Sequence, residues 1–227
     1  MPTVIIHTIE ARTHGRFVVE PRQETSPLLV GFHGHAENAE IMLDNLRAIS
    51  ASAATAPDKG DGWSLLSVQA LHRFYTKRGD VVATWMTKQD RELEIADNTA
   101  YVWSVVERVR REYAVRRPLV FAGFSQGVAM AYRIAAAAEC DGLIVLAGDV
   151  PPDVAPRAAS LPPILLGRGK ADDWYTEQKA ANDRDVLRGA GVDVTEHIFD
   201  AGHVWDRSFS AAARQFLQRI SAQVPAR

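Results

Sequence analysis

Short, continuously apolar runs alternate along the chain with longer segments whose apolar residues recur every three or four positions. An apolar run bounded by turn residues predicts a buried strand, and the longer spacing predicts an amphipathic helix. Strands are predicted at 28–32, 63–68, 118–122, 143–147, 163–166 and 192–199. Helices are predicted at 39–54, 90–113, 126–138, 174–188 and 204–224. Apolar strands that alternate with helices indicate a mostly parallel sheet covered on both faces.

The N-terminal part differs from this alternation. Residues 3–9 and 16–20 are both rich in β-forming residues and are separated by His14-Gly15, which predicts an antiparallel hairpin at one edge of the sheet. The proline-rich stretch 149–163 is short enough to be a loop between two strands. We therefore predict one α/β domain over residues 1–227, with a mostly parallel central sheet, an N-terminal antiparallel hairpin and helices on both faces.

Composition narrows the classes of function. The formal net charge is −2, whereas a broad nucleic-acid-binding face needs a basic excess. No apolar run reaches the length of a membrane span, and the N-terminus lacks the pattern of a signal peptide. The single cysteine, Cys140, fits a reducing compartment, so we expect a cytoplasmic protein. The sequence is compatible with a monomer or a homodimer.

The segment GFSQG at 123–127 matches the pattern G-x-S-x-G. It follows the apolar strand 118–122 and opens the helix 126–138, which is the strand–turn–helix setting of a nucleophile elbow. Glycines flank the serine in such a turn because bulk there would clash with the neighbouring strand and helix. The pattern predicts that Ser125 is a catalytic nucleophile.

A nucleophilic serine needs a general base and an acid that orients it. In this kind of site the chain order is serine, acid, histidine, which favours His203, between the last strand and the last helix. His197 also comes late, but it lies within a strand pattern. Asp172 follows a buried strand by a short loop and is the preferred acid. Asp173 and Asp149 remain alternatives.

Two backbone N–H groups are candidates for an oxyanion hole, which stabilises negative charge on the attacked carbonyl oxygen. One belongs to Gln126, directly after the nucleophile. The other belongs to His35, in the turn that ends the strand 28–32. His33 and His35 could instead form half of a metal site, but no third ligand has convincing spacing, so no metal is expected. The imidazole of His33 is expected to brace the loop.

Several aromatic residues lie in or near the predicted loops at the carboxyl ends of strands. They could line a substrate pocket or serve as ordinary packing. The candidates for substrate binding are Phe32, Trp85, Trp174 and Trp205.

Five segments of the chain, LVGFHGHAEN, FAGFSQG, LAGDVPPD, LLGRGKADDW and DAGHVW, resemble the phospholipase/carboxylesterase group of α/β-hydrolases, which includes acyl-protein thioesterases. The resemblance covers nearly the whole chain. It implies a triad of Ser125, Asp172 and His203, with Gln126 and His35 as oxyanion donors. It also implies hydrolysis of small esters or thioesters through an acyl-enzyme, without a metal or an organic cofactor.

Some residues depart from the pattern of that group. Arg168 stands where its acid loop usually has histidine, and His35 stands where a small or aliphatic residue is usual. The related dienelactone hydrolases use a cysteine nucleophile, but Cys140 is far from any elbow. Three alternatives stay open: a lactonase, a peptidase, and a non-catalytic binding protein with the same fold.

Overall fold

The computed structural model describes residues 3–23, 25–50 and 62–223. Within these residues the chain forms nine strands, five α-helices and a 3₁₀ turn at Ala155–Ser160. The strands are β1 (Arg16–Glu20), β2 (Pro27–Phe32), β3 (Ser64–Gln69), β4 (His72–Tyr75), β5 (Val81–Thr84), β6 (Arg116–Phe124), β7 (Gly142–Leu146), β8 (Ile164–Gly169) and β9 (Val194–Phe199). The helices are α1 (Ala39–Ser50), α2 (Arg91–Glu112), α3 (Gln126–Ala137), α4 (Glu177–Gly189) and α5 (Arg207–Gln223).

Seven strands form the central sheet, in the order β1-β3-β2-β6-β7-β8-β9. All neighbouring pairs are parallel except β1 with β3. Every residue of β3, β7 and β8 is buried, which explains why these strands are mostly apolar and do not alternate between apolar and polar residues. The predicted fold class, a mostly parallel α/β sheet with flanking helices, is confirmed.

The N-terminal strand pairs differently from the hairpin predicted between residues 3–9 and 16–20. The antiparallel edge strand is present as β1, but it pairs with β3, with Arg16 opposite Gln69. Residues 3–9 form no strand, and Ile6 and Ile9 are 84% and 92% exposed. Strand propensity expresses packing against a sheet face, and these residues have no such face to cover.

A second antiparallel pair, β4 with β5, lies outside the central sheet and was not predicted. A bridge between Glu37 and Ala83 joins this hairpin to the loop after β2. The other element boundaries differ from the predicted ones by a few residues, with α4 and α5 both starting three residues later. The last predicted residues of two helices, 51–54 and 224, lie outside the described residues.

The buried apolar side chains of the described segments form one hydrophobic cluster. Helix α1 packs against α5, whereas α2 packs against α3. The loops after β2, β6, β7, β8 and β9 all leave the carboxyl edge of the sheet, where open α/β sheets carry their sites. In the described part of the chain, no helix combines the length and the apolar character needed to span a membrane.

Candidate active site

Ser125, the predicted nucleophile, occupies the turn between β6 and α3. Its φ is 51° and its ψ is −119°, a backbone conformation that residues other than glycine rarely adopt. The Ser125 N–H donates to the carbonyl oxygen of Leu146 at 2.9 Å, and the Ser125 carbonyl oxygen accepts from Val128 N–H at 3.0 Å. The turn is therefore held from the neighbouring strand and from the helix that follows.

The two glycines of the elbow lie where a side chain would not fit. A Cβ atom on Gly127 would lie 2.1 Å from the carbonyl oxygen of Phe32, and one on Gly123 would lie 2.6 Å from the carbonyl oxygen of Gly127. Both distances are far below van der Waals contact. The close approach predicted for this turn is thus present, and it brings the elbow against the end of β2.

The structure brings Ser125, His203 and Asp172 into one line of hydrogen bonds. His203 Nε2 lies 2.7 Å from Ser125 Oγ, and His203 Nδ1 lies 2.9 Å from Asp172 Oδ2. Asp172 Oδ1 accepts two backbone N–H groups, from Trp174 at 2.9 Å and Tyr175 at 2.8 Å. Because an ionised carboxylate only accepts, the imidazole proton belongs on Nδ1, and Nε2 is left to accept from the serine hydroxyl.

Within the described residues, the alternative acids and the alternative base form no hydrogen bond with Ser125 or His203. Asp173 is exposed, and Asp149 forms an ion pair with Lys179 at 3.1 Å. His197 is 3.1 Å from the hydroxyl of Ser208. Cys140 lies between α3 and β7, and burial raises the pKa of its thiol to about 12, which suppresses the nucleophilic thiolate.

Arg168 braces the loop that carries Asp172. Its guanidinium is buried, donates to the carbonyl oxygen of Gly169 at 3.0 Å and forms an ion pair with Glu177 at the start of α4. Arg168, which departs from the pattern of the group that the sequence resembles, therefore has a structural role.

The loop after β2 is fixed by buried polar groups. His33 Nε2 accepts from Ala70 N–H at 3.1 Å, and burial lowers the pKa of His33 to about 4, so its ring is neutral. The Glu37 carboxylate accepts the Gly34 N–H at 2.7 Å, and burial raises the pKa of Glu37 above its ordinary value. No set of three His, Cys, Asp or Glu residues suited to a metal ion occurs among the described residues.

The two predicted oxyanion donors have different surroundings. Gln126 is the first residue of α3, so its N–H has no intrahelical acceptor. The His35 N–H follows the Gly34 turn, and within the described segments it donates to no backbone carbonyl. The His35 imidazole is exposed and stacks on Phe74 of β4, with ring centroids 5.6 Å apart.

The side chain of Gln126 has a role that sequence reasoning missed. Its Oε1 accepts from the Thr84 hydroxyl at 3.0 Å and from Trp85 N–H at 2.9 Å, and its Nε2 donates to the Met86 carbonyl oxygen at 2.8 Å. The segment that follows β5 is therefore tied directly to the elbow. A glutamine after a serine carries no sequence signal for such a contact across 40 residues.

Three solved structures share this architecture over nearly their whole length. They are esterase PE8 (20% identity, 92% of this chain and 100% of that chain, TM-score 0.70), a carboxylesterase from Bacillus cereus (18%, 91% and 94%, 0.68) and a phospholipase/carboxylesterase from Dyadobacter fermentans (14%, 92% and 99%, 0.67). The chain has the α/β-hydrolase fold. The resemblance read from the sequence is confirmed at the level of this fold. No family model and no curated protein matches the sequence.

Ser125 and His203 of the candidate triad open into a cleft at the carboxyl edge of the sheet, where open α/β sheets bind ligands. The cavity volume is about 230 Å³. Besides Ser125, Gln126 and His203, its lining is partly apolar and partly charged, and it consists of Met86, Arg91, Ala129, Ala147, Gly148, Asp149, Trp174 and Lys179. No pattern in the sequence marks Arg91 or Lys179, because a single cation near a helix terminus is ordinary on a protein surface.

Of the four aromatic residues predicted to bind substrate, only Trp174 lines the cleft, and its side chain is 76% exposed. Phe32, Trp85 and Trp205 are not among the residues that line the cleft. Phe32 and Trp85 are fully buried, and Trp85 Nε1 donates to the carbonyl oxygen of His33 at 2.8 Å. Trp205 packs edge-on against Phe209, with ring centroids 5.6 Å apart. These rings pack beneath the loops, because a large apolar ring gains more from burial than from exposure at a rim.

Proposed function

We propose that this chain is a serine esterase that cleaves carboxylic ester or thioester bonds of small substrates through an acyl-enzyme on Ser125. The observation that carries the proposal is the line of hydrogen bonds from Ser125 Oγ through His203 to the buried carboxylate of Asp172, at 2.7 and 2.9 Å. A serine hydroxyl, an imidazole and a carboxylate in this order are the parts of a nucleophilic acyl transfer.

In the first step, Ser125 Oγ attacks the carbonyl carbon while His203 Nε2 takes the hydroxyl proton. Asp172 stabilises the imidazolium that forms, and its own charge is held by the N–H groups of Trp174 and Tyr175. The N–H groups of Gln126 and His35 are the proposed donors to the oxyanion, each worth roughly 10²–10³ in rate.

In the second step, His203 gives its proton to the leaving alcohol or thiol, and the acyl group stays on Ser125. Water then attacks the acyl-enzyme as His203 Nε2 accepts its proton, and the carboxylic acid leaves as Ser125 regains its hydroxyl hydrogen. The names of the structural neighbours, which are esterases and carboxylesterases, support this class of reaction. The small cleft, about 230 Å³, favours small substrates over drug-sized ones.

A fluorophosphonate probe and an ester assay test this proposal. We expect the probe to label the wild-type chain on Ser125, and we expect Ser125→Ala to abolish labelling and lower kcat on a short 4-nitrophenyl ester by roughly 10⁴–10⁶. Ser221→Ala, which removes an exposed hydroxyl from α5, is the matched control and is expected to behave as wild type.

Two outcomes would contradict the proposal. Activity of Ser125→Ala close to that of wild type would exclude Ser125 as the nucleophile. Failure of the probe to label the wild-type chain, together with no turnover of esters or thioesters, would favour a non-catalytic binding protein. Assays with lactones and with aminoacyl amides, run beside the ester assay, separate the lactonase and peptidase alternatives, which share the chemistry of the triad.

A further inference from the structure

We propose that the cleft is selective for esters that carry a carboxylate on the acyl or the leaving group, and that Arg91 binds this carboxylate. The inference rests on the proposed esterase function and deepens it, because it names the class of substrate. The observation behind it is that Arg91 lines the same cleft as Ser125 and His203.

The backbone that precedes Arg91 is anchored next to the nucleophile, and the Arg91 side chain itself is exposed. Arg91 is the first residue of α2, and α2 begins a few residues after Met86. The backbone around Met86 is held by the carboxamide of Gln126, the residue next to Ser125, through hydrogen bonds of 2.8 and 2.9 Å. The segment that leads into Arg91 is therefore anchored on the elbow itself.

The charges of the cleft leave one cation without a partner. Lys179 Nζ lies 3.1 Å from Asp149 Oδ2, so these two lining residues neutralise each other. Across residues 3–23, 25–50 and 62–223, Arg91 forms no ion pair. Glu94, one turn further along α2, is already engaged by Thr87 N–H and lies 3.7 Å from His72 Nε2.

A single unpaired guanidinium favours a monoanionic group over a doubly charged one. A guanidinium also matches the planar geometry of a carboxylate, to which it can donate two parallel hydrogen bonds. The side chains of Met86, Ala129, Ala147 and Trp174 give the cleft an apolar lining for the carbon skeleton. The substrate that fits is a short ester with a reactive carbonyl at Ser125 and a carboxylate at Arg91.

Two matched pairs of esters test the inference. In the first pair, the 4-nitrophenyl monoester of adipic acid is compared with the same ester of its monoamide. In the second pair, 4-carboxyphenyl acetate is compared with 4-carbamoylphenyl acetate, so that the carboxylate lies on the leaving group. For at least one pair, we expect wild-type kcat/KM to favour the carboxylate by about tenfold, mainly through KM.

We expect Arg91→Gln to bring this ratio close to one. The matched control is Arg111→Gln, which removes the same charge from the exposed far end of α2, about 30 Å along the helix, and should keep the wild-type ratio. The inference is overturned if wild type shows no preference for the carboxylate in either pair, or if Arg91→Gln keeps the wild-type ratio. No turnover of any of the four esters would instead contradict the esterase proposal, and the inference would fall with it.

Discussion

Ser125 is held in a conformation that costs about 1–3 kcal/mol for a residue other than glycine. The contacts on both sides of the elbow offset this cost. Its N–H bonds to the Leu146 carbonyl, and Gly127 allows the helix to approach the carbonyl oxygen of Phe32. The same approach joins the nucleophile to the loop of the proposed oxyanion donor His35. Strain at this residue and the geometry of the site are therefore coupled.

Gly127→Ala tests this coupling. A Cβ atom would lie 2.1 Å from the Phe32 carbonyl oxygen and 2.5 Å from that of His33, so the backbone of one side must move. We expect kcat on a 4-nitrophenyl ester to fall by at least about 100-fold, since small misplacements of reacting groups are costly. Gly189→Ala, where no atom lies within 4 Å of the new Cβ, is the matched control and should keep the activity. Wild-type turnover and melting temperature in Gly127→Ala would contradict the coupling.

At the scale of single residues, local sequence predicted the candidate serine and histidine but left three aspartates open. Asp172 is distinguished by the N–H groups of Trp174 and Tyr175, which turn back onto its carboxylate, and by its distance to His203. Both contacts depend on how two loops meet in space. Arg91 was missed for the same reason, because its place on the cleft depends on the hairpin that precedes α2.

At the scale of elements, the errors came from short polar strands and from unpaired apolar segments. The strand β4 reads HRFY and is mostly exposed, so no apolar run marks it. Residues 3–9 have the opposite character, with strong β propensity but no strand pairing in the described part of the chain. The boundaries of the long apolar strands and of the helices were predicted to within a few residues. Strands that are buried on both faces have a mostly apolar composition, and turn residues mark where they end.

Helix α4 contributes a buried carboxylate next to the candidate site. Asp183 Oδ2 accepts from the hydroxyl of Tyr175 at 2.9 Å and from Val150 N–H at 3.1 Å, and so ties α4 to the loop after β7. Burial raises the pKa of Asp183 to about 6, with Asp149 adding to the rise and Lys179 opposing it. Between about pH 4 and pH 6, the folded protein therefore keeps a proton on Asp183 that the unfolded chain has already released.

This difference predicts a pH dependence of stability. An unfolded aspartate titrates near pH 4, so the Asp183 contribution to the free energy of unfolding falls as pH rises from about 4 to about 6. We expect Asp183→Asn to gain up to about 3 kcal/mol relative to wild type between pH 4 and pH 7 in urea unfolding. Asp185→Asn, exposed on the same helix, should show no such gain. An equal difference from wild type at both pH values for Asp183→Asn would contradict the burial argument.

At the scale of the whole molecule, parallel pairing brings the loops of Ser125, Asp149, Asp172 and His203 to one edge of a single sheet. The order of the strands and the packing of the helices are global properties. The sequence predicted that such an edge exists but not the cleft that forms there.

A single domain predicts a single unfolding transition. We expect tryptophan fluorescence, which reports on buried rings such as Trp63 and Trp85, to change with urea at the same midpoint as far-UV circular dichroism. The proposed esterase activity should be lost at the same urea concentration as these two signals, or at a lower one. Two separated transitions would contradict the assignment of residues 1–227 to one domain.

The burial of Cys140 has a practical consequence for separating ester from thioester substrates. It is the only cysteine of the chain, and burial raises the pKa of its thiol to about 12, which disfavours the thiolate near neutral pH. Disulfide reagents that report released thiols by colour react with thiolates, so the raised pKa of Cys140 lowers the background from the native protein. Thioester cleavage can therefore be followed continuously in the presence of the protein, without alkylation and without replacing the cysteine.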